Sequence, residues 1–184
     1  TSVLSIGGNH LTNDIAVGLR TPIGEALKIK ERHGCAYSEL ISAQETIEVP
    51  SVGGRDPRVI SRRVLGEIIE PRVEEIMSLI HREINKSGFL DRIASGVVIT
   101  GGTTSMEGMI EIAEKILGVP VRRGIPSGVG GLVDVVRSPM YSTCVGLVMY
   151  GAKQDRFTNI ARPRVDGVYS KARNRIKELL GDLF

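Results

Sequence analysis

The spacing of hydrophobic residues changes along the chain and predicts alternating strands and helices. Short apolar runs bounded by glycine, proline or polar residues predict strands at "SVLSIGG", "TIEVP", "GVVIT" and "VPVRRG". Apolar residues at helical spacing predict helices at "HLTNDIAVGL", "EGMIEIAEKILG" and "YSTCVGLVMYGA", and the small residues of the last one suit close packing under a sheet. This order indicates an α/β domain, with the apolar "GVVIT" as a central strand.

Capping residues mark the ends of the first two predicted helices. Thr12 or Asn13 is available to cap the first helix, and Thr21 followed by Pro22 predicts the start of the second. The second helix is predicted to stop at Gly34, which would adopt a left-handed conformation there. These signals place two helices in the first part of the chain.

A long amphipathic helix is predicted to begin at Ser61 and to end at Gly88. Its apolar stripe follows spacings of three and four residues and comprises Leu65, Ile68, Ile69, Val73, Ile76, Met77, Ile80 and Ile84. Pro71 is predicted to kink or split this helix, because proline lacks an amide donor and crowds the preceding turn. The charged face around Arg72 is either a solvated surface with neighbouring charge pairs or a docking surface for an acidic or mixed-charge peptide.

Length, charge and cysteine content narrow the class of protein. A chain of 184 residues suits one large domain or two small ones, and a net charge of +3 is too small to indicate nucleic-acid binding. Cys35 and Cys144 lie near no metal-ligand partner at useful spacing, so we expect two buried, reduced thiols and no metal site. No apolar run approaches the ~18 residues of a membrane span. The chain begins at Thr1 without methionine, and we expect a fragment whose N-terminal part is missing.

The end of the chain differs in composition from the rest. Residues 153–168 are polar, interrupted by proline and without period, which predicts a linker. Residues 169–184 regain a helical period with basic residues near their start, which indicates a helix lying in the headgroup region of an anionic membrane. Its predicted membrane-contacting residues are Lys171, Arg173, Arg175, Ile176, Lys177, Leu179, Leu180, Leu183 and Phe184. Packing of this helix back on the domain is the alternative.

The string "VVITGGTTSMEG", residues 97–108, is an apolar strand that stops on two glycines. Paired glycines after a buried strand let backbone atoms approach a flat or anionic ligand without a Cβ in the way. The common phosphate motifs GxxxxGK[ST] and GxGxxG are absent from the sequence. The glycines therefore indicate either a nucleotide contact or a tight structural turn.

Several long strings together resemble one family, the bacterial cell-division protein FtsA, an actin-like ATPase. They are "IGGNHLTNDIAVGLRTP", "IKERHGCA", "VPSVGGRDPR", "EIIEPRVEEI", "VVITGG....MEG" and "YSTCVGLVMYG", in family order over roughly residues 3–152. The resemblance implies an actin-like fold, of the ribonuclease H-like and heat-shock-chaperone ATPase type, with this chain as its second lobe. Residues 1–20 and 95–152 then form subdomain IIA, half of the nucleotide cleft, and residues 21–94 form the inserted subdomain IIB.

The resemblance also implies a site for ATP with Mg²⁺ in the full-length protein. The matching nucleotide-binding residues are Gly7, Gly8, Lys30, Gly101, Gly102, Thr103 and Thr104. Most phosphate and metal contacts are expected outside this chain, so we assign it no catalytic residue and expect no ATPase activity from it alone. Related sequences usually carry a glutamate three residues before Lys30, suited to a ribose hydroxyl, where this chain has Leu27. Glu25 lies about 160° around the helix from that position and is a poor substitute.

The family docks the C-terminal peptide of FtsZ, the tubulin-like ring protein, on subdomain IIB. The resemblance places Arg72, Glu75 and Arg58 on that surface, and an arginine fork suits a peptide carboxylate. It implies a scaffold that tethers FtsZ filaments to the inner face of the cytoplasmic membrane at the septum, self-assembles like actin and contacts other divisome proteins. The alternatives are an actin-fold ATPase or kinase-type enzyme, and another actin-like scaffold for pilus assembly or cell shape.

Overall fold

The computed structural model describes residues 1–51, 56–89, 92–130 and 136–157 of the chain. The α-helices in these residues are α1 (Gly8–Leu19), α2 (Ile23–His33), α3 (Arg62–Ser87), α4 (Met109–Leu117) and α5 (Ser142–Phe157). The strands are β1 (Thr46–Val49), β2 (Arg58–Ser61), β3 (Val97–Ile99) and β4 (Val121–Arg123). Short 3₁₀ turns lie at Ser38–Leu40, Gly102–Ser105 and Pro139–Tyr141. The chain divides into two compact units, Thr1–Val145 and Gly146–Phe184, and the site described below lies in the first.

The described strands form two small sheets. β1 and β2 are antiparallel, with Ile47 opposite Ile60. β3 and β4 are parallel, with Val98 opposite Arg122, and α4 supplies the crossover that a parallel pair requires. The predicted mixed α/β class is therefore confirmed.

Two strand predictions are wrong in this structure. Residues 1–6 contain no strand, because they make no ladder hydrogen bonds with another described segment. Among the described strands β3 pairs with β4 alone, and Val98 is 50% exposed. The apolar sequence of β3 thus lies at an edge here, rather than in the predicted central position.

The long helix α3 is continuous from Arg62 to Ser87, so of the two predicted effects of Pro71 the split is wrong, and the kink stays a prediction. Pro71 and Glu67, the residue four positions earlier whose carbonyl loses its amide partner, are both exposed. The Ser61 side chain caps the helix by accepting a hydrogen bond from the Arg63 amide at 3.3 Å, and Gly88 ends it with a positive φ of 71°. Both predicted ends of this helix are confirmed.

The caps of α1 and α2 differ from the predicted ones. Gly7, rather than Thr12 or Asn13, precedes α1, and the Thr12 hydroxyl donates to the Gly8 carbonyl inside the helix at 3.2 Å. The Thr21 hydroxyl donates to the Pro50 carbonyl at 2.7 Å and so ties the start of α2 to the end of β1.

Gly34 ends α2, as predicted, but its conformation is extended rather than left-handed, with φ −60° and ψ 138°. A Cβ at this position would lie 2.4 Å from the Lys30 carbonyl oxygen, so a lack of space selects glycine here.

The core is aliphatic and joins three helices. The side chains that are completely buried include Leu11 and Ile15 of α1, Leu65 and Ile69 of α3, and Ile112 of α4. Burying a side chain of this size contributes ~1.5–3 kcal/mol. This packing holds the N-terminal end of α1 next to the segment that follows β3, where the candidate site lies.

The helix α5 begins as predicted, and several of its apolar residues are exposed in this structure. Leu147, Val148 and Tyr150 are between 66% and 70% exposed, and Cys144 is exposed rather than buried. α5 also extends to Phe157, past the predicted start of the linker. The remainder of the predicted linker and the whole of residues 169–184 lie outside the described residues. Within the described part of the chain, no helix is long and apolar enough to span a membrane.

Candidate functional site

The turn after β3 has a conformation that requires glycine. Gly101 has φ 108° and ψ 162°, a region that side chains of L-amino acids rarely occupy, and Gly102 begins a 3₁₀ turn that ends at Ser105. The Gly101 carbonyl accepts hydrogen bonds from the Thr104 amide at 3.1 Å and from the Thr104 hydroxyl at 2.7 Å. Turn geometry therefore explains Gly101 without reference to a ligand.

The start of α1 approaches this turn closely. A Cβ on Gly8 would lie 2.2 Å from the Thr103 hydroxyl oxygen, so a side chain at that position would displace Thr103. Gly7 has an extended conformation and open space where its Cβ would be. Gly8 is thus required by close approach, whereas Gly7 is free of that constraint.

Lys30 connects α2 to the same place. Its ammonium donates to the Gly8 carbonyl at 3.0 Å and to the Thr12 hydroxyl at 2.7 Å. Burial lowers the pKa of Lys30 below its usual value, and Glu31 opposes that effect. An ammonium has three donors, so two contacts with α1 leave one donor for another group.

These residues border three cavities that share lining residues. The largest, about 720 Å³, is lined by Leu27, Lys30, Gly102 and Thr103 among others. A cavity of about 320 Å³ is lined by Gly7, Gly8, Lys30 and Thr103. A third, of about 330 Å³, includes Gly101 and Thr104 and has apolar walls from α3. Each of the seven residues predicted for a nucleotide therefore lines at least one of these three cavities, and the cavity volumes fall in the range of small-molecule sites.

Leu27 lies at the edge of the largest cavity and is 40% exposed. Glu25 is engaged with the Lys28 ammonium at 2.8 Å and does not line that cavity. Glu31, one turn beyond Leu27, does line it, and sequence reasoning missed this carboxylate. The sequence signal for Glu31 is its position four residues after Leu27, because residues at that spacing lie on the same face of a helix.

Arg62, the first residue of α3, forms a network beside the same cavity, and the sequence pattern did not single it out as a site residue. Its side chain is 15% exposed and donates to the His33 carbonyl at 2.9 Å, to Glu45 at 2.7 Å and to Glu107. The hydrogen bond from Arg62 lowers the pKa of Glu45 below its usual range. Arg62 thereby links the start of α3 to Glu45 in the loop before β1 and to Glu107 in the segment before α4.

The residues predicted to dock FtsZ already have intramolecular partners. Arg72 donates to both carboxylate oxygens of Asp14, at 2.6 and 3.1 Å, and also to Glu75. These contacts, the hydrogen bond with Asp14 first, raise the pKa of Arg72. Arg58 donates to the Leu19 carbonyl at the end of α1.

A shallow cavity of about 260 Å³ is lined by Asp14, Ile68, Pro71, Arg72 and Glu75. The structure therefore brings Arg72 and Glu75 together with Asp14, which was not predicted, while Arg58 lies outside this cavity. In the parts of the chain that the structure describes, no cluster of three or more histidine, cysteine or acidic side chains could hold a metal ion. The nine residues predicted for membrane contact, at positions 171–184, fall outside the described residues.

The parallel βαβ unit and the cavity lined by glycine and lysine define an α/β protein with a cavity of the size that small molecules occupy. The sequence model of the family described as "Cell division protein FtsA" matches residues 1–146. The chain therefore belongs to the FtsA family of cell-division proteins, and membership implies an actin-like fold.

Individual relatives agree with this assignment. The chain is 53% identical over 154 residues to the cell division protein FtsA of Pseudomonas aeruginosa, a match that covers 84% of the chain and 37% of that relative. It is 42% identical over 158 residues to FtsA of Escherichia coli strain K12, covering 82% of the chain and 38% of the relative. It is 41% identical over 172 residues to FtsA of Neisseria meningitidis, and this match covers 93% of the chain and 41% of that relative. The chain thus spans about two fifths of the length of these relatives.

Proposed function

We propose that this chain is part of a cell-division scaffold that tethers FtsZ filaments to the inner face of the cytoplasmic membrane at the septum. In the full-length protein it would bind ATP and polymerise like actin. Membership of the FtsA family supports cell division as the process, and the cleft beside Lys30 supports nucleotide binding. Binding and assembly, rather than rapid turnover, are the proposed tasks.

The observation that carries this proposal is the meeting of Lys30, Gly8 and Thr103 at the cleft. Gly8 lets the start of α1 approach Thr103 where a Cβ would clash, both residues line one cavity with Lys30, and Lys30 has a donor to spare. These residues fit the nucleoside of ATP, with Gly101, Gly102 and Thr104 completing that side of the cleft. When bound, ATP with Mg²⁺ would supply the phosphate charge that links the lobes of an actin-like protein. The described residues of this chain contribute a nucleoside wall and no acidic cluster for the metal.

The proposed subdomains fit the arrangement of the two sheets. The β1–β2 sheet and the helix α3 fall within residues 21–94, the proposed subdomain IIB. The β3–β4 sheet falls within residues 95–152, which with residues 1–20 make up the proposed subdomain IIA. Each proposed subdomain therefore contains its own small sheet, and the core described above joins them through α1, α3 and α4.

The proposed FtsZ surface is the charged face of α3 at Arg72 and Glu75, with Arg58 on β2. A partly exposed arginine beside a shallow cavity is suited to a carboxylate of an acidic peptide. The proposed membrane contact is the amphipathic helix at residues 169–184, and its support is the sequence pattern alone.

The nucleotide site is tested by ATP titration of the full-length protein and its Lys30→Met variant. We expect Lys30→Met to weaken ATP binding roughly tenfold or more, because hydrogen bonds from charged donors contribute ~1.5–3 kcal/mol and because Lys30 also positions Gly8. Lys28→Met is the matched control, since Lys28 is on the same helix with a 60% exposed side chain. Equal ATP affinity in a folded Lys30→Met protein would remove the nucleotide site from the proposal.

The membrane role is tested by deleting residues 170–184 from the full-length protein. We expect the deletion to abolish sedimentation with liposomes that contain anionic lipid, because the basic and apolar residues of the predicted helix are then lost. Undiminished sedimentation would show that membrane contact lies elsewhere.

A further inference from the structure

All three guanidinium nitrogens of Arg72 are engaged by carboxylates of the chain itself. The edge formed by Nε and Nη2 faces both oxygens of Asp14, at 2.6 and 3.1 Å. Nη1 donates to Glu75 on the same helix. A guanidinium binds a carboxylate most strongly when two parallel hydrogen bonds form along one edge. In this structure Asp14 occupies such an edge.

The two carboxylates differ in how they can be replaced. Glu75 is three residues from Arg72 on α3 and moves with it, whereas Asp14 lies on α1, 58 residues away in sequence. The side chains of Arg72 and Asp14 are 30% and 28% exposed, so water and other ligands reach this pair. An accessible pair of this kind is weak enough for a second carboxylate to displace it.

The surroundings of the pair provide space for such a ligand. The cavity of about 260 Å³ beside Arg72 includes the apolar side chains of Ile68 and Pro71 next to the three charged groups. A peptide that carries a carboxylate beside an apolar residue matches both parts of this surface. Its carboxylate would take the Nε and Nη2 edge that Asp14 now holds.

We infer that Asp14 is a built-in competitor for the acidic peptide that binds Arg72. The inference rests on the proposed docking role of Arg72. Binding then exchanges an internal ion pair for an external one, which lowers the affinity for any acidic peptide and favours ligands with a planar, well-placed carboxylate. The exchange also reduces the salt dependence of binding, because Arg72 loses its ion pair with Asp14 when it forms one with the peptide.

The test measures binding of a synthetic peptide of the FtsZ C-terminal tail to the full-length protein and its variants. We expect Asp14→Asn to tighten binding roughly two- to fivefold, the range in which exposed ion pairs compete, and to make it fall more steeply with salt. Glu67→Gln is the matched control, because it also removes one negative charge. Glu67 lies on α3 and pairs with Arg63 rather than with Arg72. Asp14→Glu keeps the competing carboxylate and should bind like the wild type, which separates competition from a general effect of substitution at this position.

The outcomes distinguish the competitor role of Asp14 from the proposed docking role of Arg72. If Arg72→Gln weakens peptide binding while Asp14→Asn leaves it unchanged or weaker, Arg72 docks the peptide and the competitor role of Asp14 is overturned. If Arg72→Gln leaves binding unchanged, the docking role itself fails and the inference fails with it. A gain in Asp14→Asn that disappears in the Asp14→Asn, Arg72→Gln double variant supports the inference, because the gain then depends on Arg72. Where Asp14→Asn lowers the yield of folded protein, Asp14→Ser, which also removes the carboxylate, serves in its place: tighter binding supports competition, and unchanged or weaker binding overturns it.

Discussion

Replacing Arg62 with methionine is a direct test of the network that holds the start of α3. The Arg62 side chain, 15% exposed, hydrogen-bonds with the His33 carbonyl, Glu45 and Glu107. Arg63, its neighbour, is 51% exposed and lies 3.6 Å from Glu67 on the same helix. Arg62→Met and Arg63→Met therefore remove the same group, one residue apart, from two different environments.

The structure indicates the size of each effect. A hydrogen bond to a charged group contributes ~1.5–3 kcal/mol, but Glu45 and Glu107 are 41% and 49% exposed and become hydrated once Arg62 is gone. Methionine also keeps much of the apolar contact of the arginine stem. We therefore expect Arg62→Met to lower the free energy of unfolding by ~2 kcal/mol. For Arg63→Met we expect ~0–0.5 kcal/mol, because exposed pairs within one helix contribute little.

Urea unfolding, followed by circular dichroism, measures both values. The slope m should be the same in wild type and variants, so that the difference in midpoint reports a difference in stability. The Arg62→Met effect should also persist in high salt, because a mostly buried group is screened less than an exposed one. Equal losses for the two variants, within ~0.5 kcal/mol, would refute the structural role given to Arg62.

Two further predictions concern the acid stability of the network and the edge of the cleft. The Arg62 hydrogen bond holds the pKa of Glu45 below its usual 4.5, so its contribution is present above pH 4.5 and is lost as the pH falls through the lowered pKa. Glu45→Gln should accordingly flatten the loss of thermal stability between pH 5 and pH 3, and a wild-type pH profile in that variant would contradict this. At the edge of the cleft, Leu27→Glu should tighten ATP binding in the full-length protein ~2- to 10-fold by adding one hydrogen bond to a ribose hydroxyl; an unchanged Kd would refute that placement of the ribose.

Most of the elements were predictable because their signals are local. The stripe of α3, the serine at its start and the glycine at its end lie within one segment, and the structure confirms all three. The glycine turn after β3 was also located correctly, because an apolar run followed by Gly101 and Gly102 marks such a turn wherever it occurs. Of the two interpretations of these glycines, the structural turn explains Gly101, whose positive φ the turn requires. Gly102 lines the largest cavity, as a ligand contact would require.

The wrong predictions concern positions where a distant segment decides the outcome. A strand needs a partner, and residues 1–6 have none among the described segments. Thr21 was predicted as a cap from its neighbours in sequence, but the Pro50 carbonyl lies within reach of its hydroxyl. Gly34 was expected to be left-handed, whereas the Lys30 carbonyl leaves no space for a Cβ in an extended conformation.

The sequence by itself determined the family and most of the α-helices, and it singled out the residues proposed to bind a nucleotide or an acidic peptide. Only the tertiary structure decided which of these residues meet. Arg62 and Arg63 are equivalent in sequence, and the packing of α3 alone buries one and exposes the other. Asp14 and Arg72 are 58 residues apart and become partners because α1 packs against α3. Helical period is a property of neighbours in sequence, whereas a pair between two helices depends on how their buried faces fit together.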